Sequence, residues 1–578
     1  MSQEQSKLGS EGRALCLMQR AWLREFNALG VQLRPQAAKL VTAYLRDFDN
    51  PEAQVEILVD NVKEYFRSRP GSTEAVIGAE VIERVIACME SADKQKALAE
   101  NMDLNMDTQE LARGELQRLD LGDGIQVYNV LQDMLAFSYN PATREWTAAG
   151  KPELFPDIKA KMQLYVERYH LLWQRLLLDP GLTSEAMASS SGILPGQRVV
   201  TPVESLVGNP GPKLTFGLLS RDPSANEVDG KRRWVIEDLH KVFQLELHIP
   251  ELDQLITDGS FVMAEGEVVP GGRFIVHSLR VPPAIKRDET SPVKESIPVS
   301  MFGGNLTREQ TETLQRQEIG YEDDMHVVLS EVHLDTSKVM EKLYDLFMGY
   351  EEAGPPKAYI LMGSFCSKPF VPTAEGIKSY RESFERLKLM MMKLKLHAMQ
   401  GTRFIFIPGP KDPGAARLPR APLPSYLTSD LAKDVPNVIL ASNPCRIRHF
   451  SKELVYFRHD VLRLLRRHEV APLRHTDASS TLTRDEVQAE MVRHLFDQAH
   501  LVPLPLEESN VLWAFDHTLR LYPLPTAVFI GGASTAFDTT YQGCRFGSVG
   551  PFHRDASFYA YYPVKDAIES CELPDART

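Results

Sequence analysis

Along this chain of 578 residues the spacing of apolar side chains changes twice, and one packing layer cannot satisfy three different periods. Up to about residue 95 apolar residues recur at intervals of three and four, the repeat of a helix with one buried face. Between roughly 200 and 285 they alternate, the repeat of a half-buried strand. From about 325 they come in short unbroken runs, as strands covered on both faces do. The length is also too great for a single core. The expectation is a multidomain protein: an all-α four-helix domain, an all-β barrel and an α/β domain in series.

The helical domain is assigned to residues 1–95. Leu15, Met18, Trp22, Phe26 and Leu29 share one helix face. Pro35 opens a second helix, where its missing N–H costs nothing. Asn50 and Pro51 form an N-cap and first-turn pair for a third helix, which presents Val55, Leu58, Val59, Val62, Tyr65 and Phe66. Ile82, Val85, Ile86 and Met89 supply a fourth apolar face. Residues 96–199 read as a linker with one helix near 156–178, and the small polar stretch 184–196 reads as a flexible connection within it.

Five strand candidates fill 200–285: Lys213–Ser220, Arg233–Asp238, Val242–His248, Phe261–Gly266 and Arg273–Val281. Five strands separated by turn residues in about 85 positions suit an OB-type barrel. In the α/β domain, 320–578, the buried-strand candidates are His326–Ser330, Ala358–Met362, Arg403–Ile407, Asn437–Ala441 and Thr526–Ile530. One intervening helix carries Met340, Leu343, Phe347 and Tyr350. Another carries Ile377, Tyr380, Phe384, Leu387, Met391 and Leu394 and runs to a stop at Gly401. The run Met390–Met392 reads as adaptable core.

Lys plus Arg number 65 against 78 Asp plus Glu, a net charge of −13. A wide grip on nucleic acid calls for a basic excess, so any DNA contact is local or belongs to a partner. No apolar run approaches the roughly 18 residues of a membrane span, and the polar amino terminus lacks a secretory signal's apolar core. Cys16, Cys88, Cys366, Cys445, Cys544 and Cys571 form no CxxC pair. That argues against a zinc ribbon or disulfide framework and for a reducing compartment, cytosol or nucleus.

The loop after the first α/β strand, Glu331-Val332-His333-Leu334-Asp335, has the shape of the first metal loop of calcineurin-like metallophosphoesterases. Those enzymes gather Asp, His and Asn from successive strand ends around two divalent ions, which generate hydroxide and clamp the phosphate. Their opening Asp-x-His is Glu331-x-His333 here. Where Gly-Asp should deliver the bridging carboxylate the chain has Gly363-Ser364, and where Gly-Asn-His should follow it has Gly409-Pro410-Lys411-Asp412. In place of Gly-His-x-His it has Gly531-Gly532-Ala533-Ser534. A hydroxyl does not replace a bridging carboxylate, a proline side chain ligates nothing, and a lysine repels divalent cations. Glu331, His333, Ser364, Pro410 and Lys411 therefore read as vestigial positions, with no catalytic residue, metal or cofactor expected. An active phosphodiesterase built on Glu331, His333, Asp412 and His500 is the alternative, although His500 reads first as a structural residue.

Two further features are weighed. Arg446, Arg448, His449, Arg458, His459, Arg463, Arg466, Arg467 and His468 form a local basic cluster. It reads first as the solvated face of a helix packed through Val461, Leu464 and Leu465, and second as a contact for DNA or an acidic partner. Trp234, Phe243, Phe261 and Phe274 are candidate base-stacking residues of a single-strand-binding barrel, but alternation places several of them inward. Gly271-Gly272 is turn chemistry, since no helix start or downstream Lys-Ser/Thr follows it.

An OB barrel followed by a ligand-stripped phosphoesterase domain resembles the B subunits of eukaryotic replicative DNA polymerases, and specifically those of DNA polymerase epsilon. The resemblance is carried by Pro408-Gly-Pro-Lys-Asp-Pro-Gly414, Leu418–Pro424, Ser442-Asn-Pro-Cys-Arg-Ile-Arg448, Glu453–Asp460 and Asp497–Pro505, with Trp234–Asp238 and Phe261–Gly266 in the barrel. It departs at Cys544–Phe552, where the family usually has an Asn-Pro-Gly-Ser-Phe-like segment. The resemblance implies a non-catalytic, nuclear subunit whose amino-terminal domain is similar to the helical lid of AAA+ ATPases. It implies that the barrel and phosphoesterase-like domain grip the catalytic subunit's zinc-bearing carboxy-terminal domain. It further implies docking of the helical domain on the GINS part of the CMG helicase, small histone-fold subunits as co-partners, DNA contact mainly through the complex, and no membrane.

Overall fold

The computed structural model describes residues 124–574 apart from 142, 144, 149–151, 194–195, 223–232, 271, 291–307, 475–481 and 533. Before these it describes residues 23, 26, 32–45, 55, 58–63, 76–77, 79, 81–82 and 85. The chain divides into two compact units, Met1–Gln117 and Arg118–Thr578.

In the first unit the helix Pro35–Leu45 begins at its proline and buries Ala37, Val41 and Leu45. They join Phe26, Val55, Leu58, Val59, Val62, Ile77, Ile82 and Val85 in one core. The unit is not purely helical: Gln32–Leu33 pairs in parallel with Val76–Ile77. Strands of two residues leave no period to read, so the apolar spacing carries no sign of them. Leu15, Met18, Trp22, Leu29, Asn50, Pro51, Tyr65, Phe66, Ile86 and Met89 lie outside the described residues.

In the second unit the strands Gly211–Arg221, Trp234–Glu237, Val242–Leu247, Arg273–Arg280 and Phe261–Val269 are hydrogen-bonded in that order, and the last pairs back onto the first. The barrel is therefore closed, with Val242–Leu247 and Arg273–Arg280 its parallel pair. Register shifts between Glu265 and Gly266. A Cβ on Gly266 would run into the carbonyl of Ile275, so the bulge needs glycine.

The barrel is preceded by ordered structure in place of the expected linker. Ile125–Tyr128 pairs with Cys445–His449 at the edge of a distant sheet, Phe137–Asn140 and Glu145–Ala148 form a hairpin, and a helix spans Lys159–Leu176. The stretch read as a flexible connection holds the helix Glu185–Ser191, whose N-cap Ser184 accepts a hydrogen bond from the Met187 amide. Its small, polar residues suit a capped turn as well as a loop. Strand Arg198–Val200 beyond it extends the barrel sheet.

The rest is two six-stranded sheets packed face to face. In the first, Val438–Leu440, Arg403–Ile407, Ala358–Met362 and His326–Ser330 run parallel, followed by antiparallel Ser557–Tyr562 and Ala567–Glu572. The second runs Phe537–Tyr541, Cys544–Val549, Ala527–Gly531, Lys452–Arg458, Cys445–His449, Ile125–Tyr128. Strand pleating assigns alternate residues to opposite faces. Ala358, Ile360 and Met362 point into the layer between the sheets with Ile447, Tyr456 and Phe529. Tyr359 and Leu361 point outward under the helices Ser337–Ala353 and Ala374–Met391.

The second of those helices ends at Met391, and Lys395–Met399 makes a separate turn before Gly401. The methionine run is divided accordingly: Met391 is buried and Met392 is exposed. Of the residues expected to seat the helix Val461–Arg467, Val461 and Leu465 are buried and Leu464 only partly, while Leu462 joins them. No helix among the described residues is long and apolar enough to cross a membrane.

Candidate functional site

The parallel strands of the first sheet and Ala527–Gly531 of the second direct their carboxyl ends to one rim, where loops of an α/β domain place their functional side chains. Glu331, the first residue past His326–Ser330, has φ of 55°. A non-glycine residue there costs about 1 kcal/mol or more and needs surrounding contacts to hold it. Arg458, at the end of Lys452–Arg458, supplies the main one: its guanidinium donates to Glu331 Oε1 at very short range. Arg458 also donates to the carbonyls of Gly363 at 2.6 Å and Gly531 at 3.1 Å, and to Asp460 at 3.2 Å. One buried cation thus ties together three strand ends.

The second oxygen of Glu331 meets His333 Nε2 at 2.9 Å. The His333 ring stacks on that of His553, with centroids 4.0 Å apart and planes 19° from parallel. His553 Nδ1 lies 3.3 Å from the Glu331 carbonyl. Among the described residues, Glu331, His333 and His553 bring one ligand atom each within 4.8 Å of one another. Burial and the charge of Lys411 hold His333 below the usual histidine range, against Asp335 and Asp412. His553 is pushed down to about 4 by burial, His333, Lys411 and Arg554. Burial thus favours the neutral form of both rings.

The other sequence-selected positions converge on this rim without adding ligands. Ser364 is buried, and its hydroxyl accepts from the Lys411 amide at 3.4 Å. Lys411 Nζ donates to the Ser367 carbonyl at 3.2 Å, and Pro410 is exposed. Asp412, a ligand in the phosphodiesterase reading, has its carboxylate consumed within its own loop. It accepts from the amides of Gly409 at 2.7 Å and Phe365 at 2.9 Å and from the Tyr380 hydroxyl at 3.2 Å. Burial raises Asp412 to about 6 even so, against the pull of those amides. A Cβ on Gly363 would collide with that carboxylate and with the Gly409 amide, so the two loops close on each other only because both positions are glycine.

His500 belongs elsewhere. It is buried 3.2 Å from Asp516 and 3.1 Å from Arg168 Nη2, with Nδ1 accepting from the Val502 amide. It does not share a site with Glu331. The rim thus brings together the Glu331 carboxylate and two imidazoles, while the Asp412 carboxylate is taken up by the amides of Gly409 and Phe365 and the Tyr380 hydroxyl.

The basic cluster is not one surface. Arg446, Arg448, His449 and Arg458 are strand residues with at most 2% exposure, whereas Arg463, Arg466 and Arg467 lie on the helix Val461–Arg467 toward solvent. Arg446 donates to the carbonyls of Thr518 at 2.9 Å and Arg520 at 2.7 Å. The barrel aromatics are core: Trp234, Phe243 and Phe274 fill the barrel interior. Phe261 packs outside it against Phe216 and Tyr169. None is a free stacking platform.

Sequence reasoning misses two members of the rim. Charge groups Arg458 with its neighbours, although it closes an apolar run, Leu454–Phe457, that marks it as a strand residue. His553 follows Pro551 two residues on, just past the strand Cys544–Val549, while the motif spacing puts the last ligand loop at Gly531–Ser534; a lone histidine elsewhere gives no signal.

A family model for the B subunit of DNA polymerases alpha and epsilon matches residues 326–539, and one described as the DNA polymerase epsilon subunit 2-like OB-fold domain matches 158–283. The chain is 30% identical to the DNA polymerase epsilon B subunit of Arabidopsis thaliana over 560 residues, 95% of this chain and 98% of that protein. It is 28% identical to DNA polymerase epsilon subunit 2 of Homo sapiens over 567 residues, again 95% and 98% of the two chains. With the DNA polymerase epsilon B subunit of Schizosaccharomyces pombe the identity is 30% over 429 residues, 71% of this chain and 70% of the other.

Proposed function

This chain belongs to the family of DNA polymerase epsilon B subunits, and from that premise we propose that it is a nuclear, non-catalytic scaffold whose α/β domain is a metallophosphoesterase fold stripped of its metal centre. The observation that carries the reading is Arg458. A guanidinium seated between Glu331 and the carbonyls of Gly363 and Gly531 neutralises the surviving carboxylate of the first loop. It also puts a fixed positive charge at the ends of the strands that should bring the bridging and terminal ligands. Ser364 and Pro410 take the remaining ligand positions. Without two ions there is no metal-bound hydroxide and no clamp on a transferring phosphate.

A subunit without chemistry acts through its surfaces. In this reading the barrel and phosphoesterase-like domain hold the zinc-bearing carboxy-terminal domain of the polymerase's catalytic subunit. Residues 1–95, a helical lid-like module, dock on GINS within the CMG helicase, and the small histone-fold subunits complete the holoenzyme. DNA is met through the assembly, in keeping with a net charge of −13 and a barrel whose aromatics are packed away.

Co-expression with the catalytic subunit's carboxy-terminal domain and with GINS tests the division of labour. The full chain is expected to capture both. Deleting residues 1–95 should abolish GINS capture and leave the catalytic-subunit complex intact. Loss of the catalytic-subunit complex on that deletion, or metal-dependent phosphodiester cleavage by the full chain, would refute the reading.

A further inference from the structure

We propose that the groove between the helices Ser337–Ala353 and Ala374–Met391 is a docking site for one amphipathic helix of another subunit of the polymerase. The two helices cover the first sheet with Val339, Leu343 and Phe347 of one and Tyr380, Phe384 and Leu387 of the other. Each turns a second face to the groove. On the first helix Ser337, Met340, Glu341, Tyr344 and Asp345 recur at three- and four-residue steps. Arg386, Leu389, Met390 and Lys393 do the same along the second and just past its end. The open space between them is about 440 Å³. Its apolar lining is not spent on the core, since Leu389 is 56% exposed and Tyr344 42%. Met340 and Met390 pack against the core and line the groove as well. Methionine adapts its shape to a partner's side chains, and apolar side chains grouped in an exposed groove mark a protein contact.

The charges along the groove select its occupant. Glu341 and Asp345 stand about one turn apart on the first helix, and Arg386 and Lys393 about two turns apart on the second. Among the described residues none of these four makes an ion pair. A helix with apolar residues at i, i+3 or i+4 and i+7, basic residues on one flank and acidic residues on the other satisfies the lining and both walls together. Turned end for end, the same helix would set acid against acid, so the walls fix its direction as well as its class. Ser337 to Asp345 spans about 12 Å of helix axis, which matches two to three turns of the partner. Two carboxylates on one wall disfavour a nucleic acid in the same groove.

This use of the groove rests on the chain's being an assembly subunit, and one experiment separates the two. The polymerase is reconstituted from the full-length chain and its other subunits, with the photo-reactive p-benzoylphenylalanine in place of Tyr344. Cross-linked peptides are then identified by mass spectrometry. Failure of the subunits to assemble would defeat the scaffold function, and the docking site with it. In an assembled complex the expected result is one cross-linked segment, in another subunit, with the apolar and charged spacing given above. Leu389→Asp should lower the cross-link yield at least about tenfold. Met399→Asp, at an exposed position outside the groove, should leave it unchanged. An assembled complex without a cross-link, a cross-link only to a second copy of this chain, or a yield indifferent to Leu389→Asp would each overturn the docking site and leave the scaffold function standing.

Discussion

The two sheets of the α/β domain do the same mechanical job with different materials. In the first, His326–Ser330, Ala358–Met362 and Arg403–Ile407 place apolar side chains on both faces, and their loops carry the polar chemistry. In the second, Cys445–His449 and Lys452–Arg458 bury Arg446, Arg448, His449 and Arg458 within the strands themselves. Arg446 ends on the carbonyls of Thr518 and Arg520 and Arg458 on those of Gly363 and Gly531. Both sheets remove apolar area from water, and the second adds to it buried donors that satisfy loop carbonyls. A long-range hydrogen bond from a buried guanidinium fixes a loop in one place, which apolar contact alone does not.

The contrast is broken most sharply at Arg458. Arg458→Ala leaves the Glu331 carboxylate buried without its cation and is expected to cost about 3–5 kcal/mol. Ile405→Val at the centre of the first sheet should cost only about 0.5–1.5 kcal/mol. Denaturant unfolding measures both. In a Glu331→Gln background the Arg458→Ala loss should shrink, because the stranded charge is gone. Equal losses in the two backgrounds would mean that Arg458 works through packing.

That contrast also explains how much of the molecule is legible in its sequence. Strands buried on both faces announce themselves as apolar runs, so His326–Ser330, Ala358–Met362 and Arg403–Ile407 stand where the runs place them, and the barrel strands follow their alternation. Cys445–His449 carries charges at alternate positions and reads as a solvated face unless its partners are known. Ile125–Tyr128 is four residues inside a polar region, and its pairing partner lies more than three hundred residues away. At the rim, Glu331 and His333 are legible from a strand followed by a ligand-like loop. Arg458 and His553 are not, because their roles exist only once distant strand ends meet.

Acid should probe the buried histidines next, which lie on both sides: His326, in the first sheet, is held well below the usual range mainly by burial. His459, His494 and His500, all around the second sheet and its covering helices, are pushed down to about 4, mainly by burial. The unfolded imidazole titrates near 6.5, so between about pH 6.5 and 4 the unfolded chain binds more protons than the native one. Stability therefore falls as pH falls through that window and is full above it. His494 meets the hydroxyls of Thr257 and Ser260 at 3.1 and 3.4 Å, contacts that an amide can keep. His494→Gln should reduce the proton uptake on unfolding near pH 5 by up to about one, read from the slope of unfolding free energy against pH. His397, outside the first sheet, has Glu351 as a partner for its proton, so His397→Gln should flatten the slope less. The reverse order would mean that Glu351 does not hold the His397 proton.

The smallest effect is expected where the charges look most alike in sequence. Arg467 stands nine residues after Arg458 and belongs to the same basic run, yet its helix leaves it in solvent with Arg463 and Arg466. Arg466 reaches Glu469 at 3.5 Å and Arg463 reaches Asp460 at 3.8 Å, pairs of the exposed kind that contribute little. Arg467→Ala should change unfolding free energy by no more than about 0.5 kcal/mol, against the several kcal/mol expected at Arg458. A loss at Arg467 comparable to that at Arg458 would show that the exposed arginines also brace the fold, and the distinction between buried and solvated halves of the cluster would fail. If stability is unchanged while assembly with polymerase partners weakens at higher salt, the exposed half is an electrostatic contact and the buried half is the frame that presents it.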